Sequence, residues 1–536
     1  MERMGSAHDY GHRASLANSM SLLQRTSRAY IWGQLGKFAE ACLFFAFSLL
    51  LARALGPRTY GIYSLALSTA GLFGFITLLG LAPETFGRFV PDLASKGGSR
   101  PVRTLLRKLL VVRSVTVLAT VVAATLFSLS SFGQAHLKFL AGTLACVLFV
   151  FGARGFYDLL GGYPGALLEL RSVAVAKVLA GLSAPLLFLA FLFSKHSSAN
   201  YALFATAVGY LLGAVWLLVP WLRPSPRDPK TSGQSVALST VLRFGLFVWM
   251  VNFFIMVLGD NSDVLLVGWV LGDPTQVGFY AVGAKLVFRL VTLVLGWVPL
   301  FAVASINQAY LEGGAQKMAL MVRAQWELSM LSAAAPLALL FCFAEPIIRV
   351  LFSATYLPSV HVVRVLSVLM TASAGCGFIL HSGILYVLNR ERLACGIMGG
   401  AAIFNILLEI YLLRKIGIDG AAWATGISYL LLSMTSAIVS GRFVRLQVPW
   451  QFNLKVLAAA SVAIVFTEWL NPHSVLQLLG ACSAWVAVFV AALALFKPLA
   501  STDSLHLRRL NPRLGLLAHR LFAARAAGIE GGQVSC

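Results

Sequence analysis

Long runs of apolar residues alternate with short polar segments along almost the whole chain. A membrane-spanning helix needs about 20 mostly apolar residues. Runs of that length are continuous here and lack the period-two alternation of barrel strands. The pattern therefore predicts an all-α polytopic membrane protein with about 14 transmembrane helices. The runs lie near 29–54, 60–82, 104–128, 139–160, 171–193, 200–222, 242–271, 278–309, 328–352, 362–388, 394–414, 420–443, 452–470 and 474–496.

Polar segments divide this pattern into regions. Residues 223–235 are rich in Pro, Ser and Gly, as is typical of a linker. The N-terminal segment is polar and lacks the apolar stretch of a signal peptide. We predict a cytoplasmic N-terminal tail at 1–28, an N-lobe of spans 1–6 at 29–222, a cytoplasmic linker at 223–241, a C-lobe of spans 7–12 at 242–443, two additional C-terminal spans at 444–496 and a basic cytoplasmic tail at 497–536.

A short motif occurs twice, once near the start of each lobe. Residues 55–63 read Leu-Gly-Pro-Arg-Thr-Tyr-Gly-Ile-Tyr, and residues 271–280 read Leu-Gly-Asp-Pro-Thr-Gln-Val-Gly-Phe-Tyr. Gly and Pro suit a tight turn, and Tyr suits the membrane interface, so similar outer turns could also arise by chance. We favour an internal repeat, which predicts two pseudo-symmetric six-helix lobes around a central cavity that opens alternately to each side.

Composition and charge agree with the membrane interpretation. Hydrophobic residues make up 59% of the chain and charged residues 12%, whereas a soluble chain carries about 25% charged residues. The mean hydropathy is +0.82. A net charge of +22 would suit nucleic-acid binding only if Lys and Arg formed a soluble basic face, and none is present.

The basic residues instead follow the positive-inside rule. With the N-terminus inside, the tails and even-numbered loops hold about 30 of the 42 basic residues, and the odd-numbered loops hold about 7. Arg414 and Lys415 are the exception. We therefore expect both termini in the cytoplasm of a multi-pass inner-membrane protein. Residues 510–525 place Leu at helical spacing among basic residues, which predicts an amphipathic helix on the cytoplasmic leaflet.

Several segments together resemble a known family. They lie at 52–64, 80–81, 263–268, 278–280, 345–352 with Tyr356, Asn405 and 417–428, and the likeness spans roughly 25–445. In order and spacing they are similar to bacterial polysaccharide flippases, the O-antigen and exopolysaccharide type. That family belongs to the superfamily that also holds lipid II flippases and multidrug (MATE) exporters. Ser353 and the Arg414–Lys415 pair depart from the pattern.

The resemblance implies a two-lobed exporter fold that moves an undecaprenyl pyrophosphate-linked oligosaccharide or polysaccharide precursor to the outer leaflet by alternating access. It implies membrane lipids as partners, together with polysaccharide polymerase or assembly proteins. It does not fix the sugar.

Charged residues on the seventh and eighth spans are candidates for a substrate site, because charge inside a membrane span is costly and is by default functional. Lys285 and Arg289 are four residues apart and share a helix face, while Asp260 and Asp263 lie on the preceding span. Hairpin geometry predicts that Asp260 faces Arg289 or that Asp263 faces Lys285. We expect Lys285 and Arg289 to bind the anionic headgroup and the two acids to serve in ion coupling or charge pairing.

The first half carries weaker candidates. Lys37 and Arg154 could receive the headgroup, and Glu40 joins the acids assigned to ion coupling or charge pairing. Lys37 with Glu40, and Arg154 with Asp158, could also simply neutralise each other along one helix. The alternative for the whole set is that these residues pair with nearby acids and only hold the lobe together. Glu409 and His381 look isolated and need no mechanism.

Other functions fit the sequence less well. An ion-coupled small-molecule exporter would share the fold, but the basic residues within spans favour an anionic substrate. A polysaccharide polymerase, ligase or glycosyltransferase needs loops with catalytic groups, whereas the outer loops have about 5–15 residues without paired carboxylates. The cysteines show no ligand spacing, and no phosphate-binding Gly loop occurs. We expect no enzyme activity, no catalytic residue, no metal, no cofactor and no nucleic-acid partner.

Overall fold

The computed structural model describes residues 5–77, 83–97, 99–130, 142–167, 169–222, 237–296, 298–378 and 380–498. Apart from a short 3₁₀ turn at Ala354–Tyr356, the regular structure within these ranges is α-helical, and they contain no strand. The helices are α1 Gly5–Ile76, α2 Pro83–Gly97, α3 Ser99–Leu129, α4 Leu144–Ala166, α5 Leu170–Phe193, α6 Ala199–Leu222, α7 Leu238–Val257, α8 Asp260–Leu271, α9 Pro274–Leu295, α10 Val298–Cys342, α11 Ala344–Leu351, α12 Ser359–Gly375, α13 Leu380–Val387, α14 Glu391–Ile416, α15 Ile418–Gly441, α16 Trp450–Thr467 and α17 Val475–Phe496.

The all-helical membrane fold is confirmed, and the span count of 14 is approximate. Twelve helices in the described part of the chain are long and apolar enough to cross a membrane. One of them, Ile31–Ile76, covers most of both the first and the second predicted spans. The predicted seventh span corresponds to α7 and α8, which are not among the twelve.

The chain divides into two compact units, Met1–Phe253 and Phe254–Cys536. The boundary falls inside α7, whereas the sequence pattern starts the C-lobe at 242. In the first unit, the amphipathic helix α2 buries Phe86 and Val90 against α3 and α4, and Val241 at the start of α7 joins the same apolar core. The first residues of the seventh span are therefore packed in the first unit.

Both copies of the repeated hairpin motif turn at a glycine with a positive φ angle, a conformation that favours glycine over other residues. Gly56 has φ 72° and ψ 171°, and it separates the two spans of α1 just before Pro57. Gly272 has φ 64°, and α9 then begins at Pro274 with Asp273 as its N-cap. A side chain at positive φ would be strained, and Pro suits the first turn of a helix. The shared Gly and Pro thus perform the same local task in both copies.

The seventh span is broken, although its sequence reads as one apolar run over 242–271. Helix α7 ends at Val257 and α8 begins at Asp260. Side chains satisfy the carbonyl groups freed by the break: Ser262 Oγ lies 2.7 Å from the Val257 oxygen, and Asn405 Nδ2 donates to the same oxygen over 3.5 Å. A break of this kind inside a membrane requires such replacement partners.

The tenth span is also discontinuous, between α12 and α13. Gly377 there has φ 90°, and a Cβ atom on it would lie 2.3 Å from His381 Nε2. Trp326 Nε1 and Asn453 Nδ2 both donate to the Gly375 oxygen over 2.9 Å. Asn453 belongs to α16, so one of the two additional C-terminal spans holds this break in place. The linker residues 223–236 and the tail at 499–536, with its predicted amphipathic helix, lie outside the described residues.

Candidate functional site

In the first unit, α1 and α5 approach each other closely enough for charged side chains to meet. A Cβ atom at Gly36 would lie 2.8 Å from the Cα of Ala174, so glycine is required for the contact. One turn further along each helix, Glu40 and Lys177 form an ion pair. Their side chains are 22% and 20% exposed. The pair is thus largely shielded from solvent.

This geometry changes the interpretation of Glu40. It forms an ion pair with Lys177 on another helix, whereas the sequence pattern paired it with Lys37 on its own helix. Lys37 is exposed and lies within electrostatic reach of both Lys177 and Glu40. Two lysines therefore share one carboxylate.

Arg154 and Asp158 on α4 form the i,i+4 pair that their spacing predicts, with Nε and Oδ2 3.7 Å apart. Both side chains are about half exposed. The Arg154 guanidinium lies 5.9 Å from the ring centre of Tyr210. Asp158 is also within electrostatic reach of Glu40 and Lys177, which connects the α4 pair with the α1–α5 pair.

Arg113 is fully buried on α3, inside the predicted span 104–128. Its Nη1 donates to the backbone oxygen and the Oγ1 of Thr77, over 3.0 and 3.1 Å. Thr77 follows the last residue of α1, so Arg113 caps that helix end, where a cation is favoured. A Cβ atom at Gly155 would lie 2.1 Å from Arg113 Nη2. Glycine at this position therefore makes room for the guanidinium.

We call Lys37, Glu40, Arg113, Arg154, Asp158 and Lys177 the cationic cluster. It joins side chains from α1, α3, α4 and α5, and with ordinary ionisation its positive charges exceed its negative charges by two. Two of its cations are accessible: Lys37 is exposed, and the Arg154 side chain is 42% exposed. Such a group can attract and hold an anion, because Lys and Arg bind phosphate oxygens with charge-assisted hydrogen bonds.

The second unit holds a buried acidic group at the start of α8. Asp263 is fully buried, and its Oδ2 accepts hydrogen bonds from Tyr280 Oη at 2.5 Å and Thr425 Oγ1 at 2.9 Å. Its Oδ1 accepts no hydrogen bond from the described residues. These donors come from α9 and α15, so three helices meet at this carboxyl group.

Glu409 on α14 adds a second buried carboxyl group. It is fully buried, within hydrogen-bonding reach of Asp263, and neither of its oxygens has a donor from the described residues. Asn405, one turn earlier on the same helix face, is equally buried and leaves its Oδ1 without a partner. We call Asp263, Asn405, Glu409 and Thr425 the acidic cluster.

Four buried oxygens of the acidic cluster accept no hydrogen bond within the described part of the chain: Asp263 Oδ1, Asn405 Oδ1 and both Glu409 oxygens. Buried carboxylates of this kind are costly unless they bind a cation or a proton. Oxygen ligands suit a small hard cation. The arrangement is chemically able to hold one monovalent cation or to share protons.

The carboxyl group of Asp263 meets the hydroxyl groups of Tyr280 and Thr425, and Glu409 lies within hydrogen-bonding reach of it. The pairings of Asp260 with Arg289 and of Asp263 with Lys285 stay predictions. Lys285 is half-buried on α9, and Arg289 is exposed one turn further along.

Comparison with known proteins settles the family. The sequence profile of the polysaccharide biosynthesis protein family matches residues 28–304, just over half of the 536 residues. The chain belongs to this family. Among curated proteins, none matches the sequence.

Solved structures show that this family member has the fold of transporters in the multidrug/oligosaccharidyl-lipid/polysaccharide (MOP) superfamily. A lipid II flippase MurJ in an inward closed conformation matches with a TM-score of 0.66 at 13% identity, covering 88% of this chain and 98% of that chain. An inward-facing multidrug resistance MATE transporter matches with 0.59 at 14% identity, covering 78% and 95%. A MOP superfamily transporter from Pyrococcus furiosus matches with 0.53 at 14% identity, covering 82% and 96%. The protein is a multi-pass membrane protein of this fold.

Sequence reasoning missed several residues of both clusters. Lys177 lies in an apolar run, and nothing in its neighbourhood links it to Glu40 at a separation of 137 residues. Glu409 was interpreted as isolated, but the fold brings it to Asp263, which is 146 residues away in the sequence. One signal was available: Asn405 and Glu409 are four residues apart within one span, and two polar residues on one helix face favour a shared site.

Proposed function

We propose that the protein flips a lipid-linked oligosaccharide or polysaccharide precursor, of the undecaprenyl pyrophosphate type, from the cytoplasmic to the outer leaflet by alternating access. Family membership supports a role in polysaccharide biosynthesis, and the transporter fold supports movement across the membrane. The observation that carries the proposal is the cationic cluster, which places excess positive charge on membrane-spanning helices of the first unit.

The excess positive charge of the cationic cluster suits an anionic headgroup. A lipid pyrophosphate and its hydrated sugars cannot cross about 30 Å of hydrocarbon unaided without a very large desolvation cost. Cations that replace water around the phosphates lower that cost. Lys285 and Arg289 remain our first candidates for the phosphates, and Lys37 and Arg154 receive the headgroup less tightly. The exposed position of Arg289 on α9 leaves it accessible for this role.

The acidic cluster supplies a second part of the proposal. Asp263 and Glu409, together with Asn405 and Thr425, bind the coupling cation, either sodium or protons. The four buried oxygens without donors support this assignment. Asp260 lies beside Asp263 at the start of α8 and adds negative potential there. Glu40 serves charge pairing through Lys177.

The same fold also serves small-molecule export, as in the MATE transporters. A substrate of that kind needs no cluster of cations on the spans, so we rank this function second. We further propose that the protein performs no covalent chemistry, that it resides in the bacterial inner membrane, and that both termini are cytoplasmic. Polysaccharide polymerase or assembly proteins are its expected partners.

A deletion strain tests the proposal. Loss of the protein should remove surface polysaccharide and leave a lipid-linked intermediate on the cytoplasmic face, which mass spectrometry identifies. Complementation with Lys285→Gln or Arg289→Gln should restore protein in the membrane but little surface polysaccharide. Arg349→Gln is the matched control, because Arg349 forms an exposed i,i+4 pair with Glu345 on α11.

Two outcomes would overturn parts of this account. The deletion strain could instead have normal lipid-linked intermediates and increased sensitivity to a toxic cationic compound. That result would show that the protein exports small molecules and does not flip a lipid-linked precursor. Normal amounts of surface polysaccharide from well-expressed Lys285→Gln and Arg289→Gln variants would show that these two residues have no role in transport. The proposed flippase function would still stand.

A further inference from the structure

A groove of about 500 Å³ opens on the second unit between α10 and the segment that follows α15. Ala319, Leu320 and Arg323 line one wall, and Phe443, Arg445 and Gln447 line the other. The first wall follows the eighth span and the second follows the twelfth. Both segments are even-numbered loops or their helix ends, so the groove lies on the side that the positive-inside rule assigns to the cytoplasm.

The two arginines of the groove differ in their surroundings. Arg323 donates from Nε to Glu327 Oε1 and from Nη1 to Gln447 Oε1, each over 3.0 Å. Glu327 is buried, so it fixes Arg323 and neutralises it. Arg445 is exposed and makes no hydrogen bond or ion pair with the described residues. The groove thus presents one uncompensated cation beside a fixed polar wall.

Apolar side chains stand next to this cation. Leu320 is 59% exposed and Phe443 is 43% exposed, and the Arg390 guanidinium lies 5.5 Å from the ring centre of Phe443. A free phosphate would use the cation and leave the apolar surface in water. A molecule with an anionic head and an apolar body would contact the cation and also bury the apolar side chains.

We propose that this groove binds the headgroup of an anionic phospholipid from the cytoplasmic leaflet. Its phosphate contacts Arg445 and the free edge of Arg323, and its glycerol and first acyl carbons lie against Leu320 and Phe443. Basic pockets on the cytoplasmic side of membrane helices bind such headgroups, and the cytoplasmic leaflet is rich in anionic lipids. The groove shares no lining residue with the cationic cluster, the acidic cluster or the Lys285–Arg289 pair.

Native mass spectrometry of the full chain in detergent tests the proposal. Titration with phosphatidylglycerol should give a Kd about tenfold lower than titration with phosphatidylcholine, the ratio that one charge-assisted contact produces. Arg445→Gln should bring the two lipids to within about twofold of each other. Ala319→Leu, which fills the groove without changing charge, should also abolish the preference.

Arg442→Gln is the matched control, because Arg442 is exposed on the same segment and does not line the groove. It should keep the full preference for phosphatidylglycerol. Equal Kd values for the two lipids on the unchanged protein would overturn the proposal. An equal loss in Arg442→Gln would also overturn it, because the preference would then reflect diffuse surface charge. Displacement of the lipid by glycerol 1-phosphate at the same concentration would make the groove a soluble-phosphate site instead.

Discussion

At the scale of single residues, the charged groups of the spans are organised by helix contacts that bring distant positions together. Glu40 pairs with Lys177 because Gly36 lets α1 lie directly on α5. Asp263 meets Thr425 and Glu409 because α8 begins beside α14 and α15. In both units, one acid on an early span is paired with a residue far along the chain.

Glu40 competes with an anionic substrate for Lys177 if the cationic cluster binds phosphate. Glu40→Gln should therefore tighten binding of a fluorescent lipid pyrophosphate to the purified protein by about fivefold, the effect of removing about 1 kcal/mol of competing ion pairing. Slower transport should accompany it, because release then becomes harder. Glu345→Gln, which breaks the exposed pair with Arg349, serves as control and should change neither quantity. Weaker binding by Glu40→Gln would show that Glu40 positions the site and does not compete.

The acidic cluster should determine coupling and not substrate affinity. Asp263→Asn and Glu409→Gln each remove one carboxylate from the cluster, so transport should no longer respond to an imposed sodium or proton gradient. Substrate binding in detergent should change less than about twofold, because no substrate contact is lost. Glu312→Gln, on an exposed pair with Lys317, is the control. A full response to both gradients in either cluster variant would remove the acidic cluster from coupling.

At the scale of elements, glycines and broken helices decide where charged side chains can go. Gly155 is the sharpest case, because its missing Cβ makes room for the buried Arg113. The breaks in the seventh and tenth spans place Asp263 and His381 beside other helices, and Ser262, Asn405 and Trp326 satisfy the freed backbone groups.

Gly155→Ala should displace Arg113 from Thr77 and destabilise the first unit by about 1–3 kcal/mol, the usual cost of overpacking a core. Thermal unfolding of the purified protein measures the effect as a lower Tm. Gly152→Ala on the same helix is the matched control, because its added Cβ would meet Val117 at an ordinary 3.7 Å. Equal Tm values for the two variants would show that Arg113 can move aside without loss.

The sequence predicted the elements much better than the site, for physical reasons. Apolar runs predict membrane spans well, because hydrocarbon excludes polar side chains. Nearly every predicted run coincides with a helix of the structure. The sequence did not show the break between Val257 and Asp260, because the span reads as one apolar run and one of the residues that satisfy the break, Asn405, lies on another helix. Arg154 with Asp158 was predicted, since both lie on one turn of one helix. Lys177 and Glu409 could not be assigned, since their partners depend on helix packing.

At the scale of the whole molecule, charge asymmetry predicts a topology that can be tested separately from function. Most basic residues fall in the tails and the predicted even-numbered loops, which the positive-inside rule assigns to the cytoplasm. Alkaline phosphatase fused after Lys230 should be inactive, because this linker is predicted to be cytoplasmic. A fusion near Asp273, in the turn between α8 and α9, should be active. The reverse pattern would invert the orientation and place the phospholipid groove on the outer face.

The central claim is that this protein moves a lipid-linked saccharide across a bilayer. Purified protein in liposomes that contain a fluorescent undecaprenyl pyrophosphate oligosaccharide measures this directly, with an impermeant quencher added outside. The account predicts that the protein makes label from the inner leaflet accessible to the quencher, and that the Lys285→Gln/Arg289→Gln protein does not. Label that stays protected in liposomes, while the same protein accumulates a fluorescent cationic drug under an ion gradient, would contradict it.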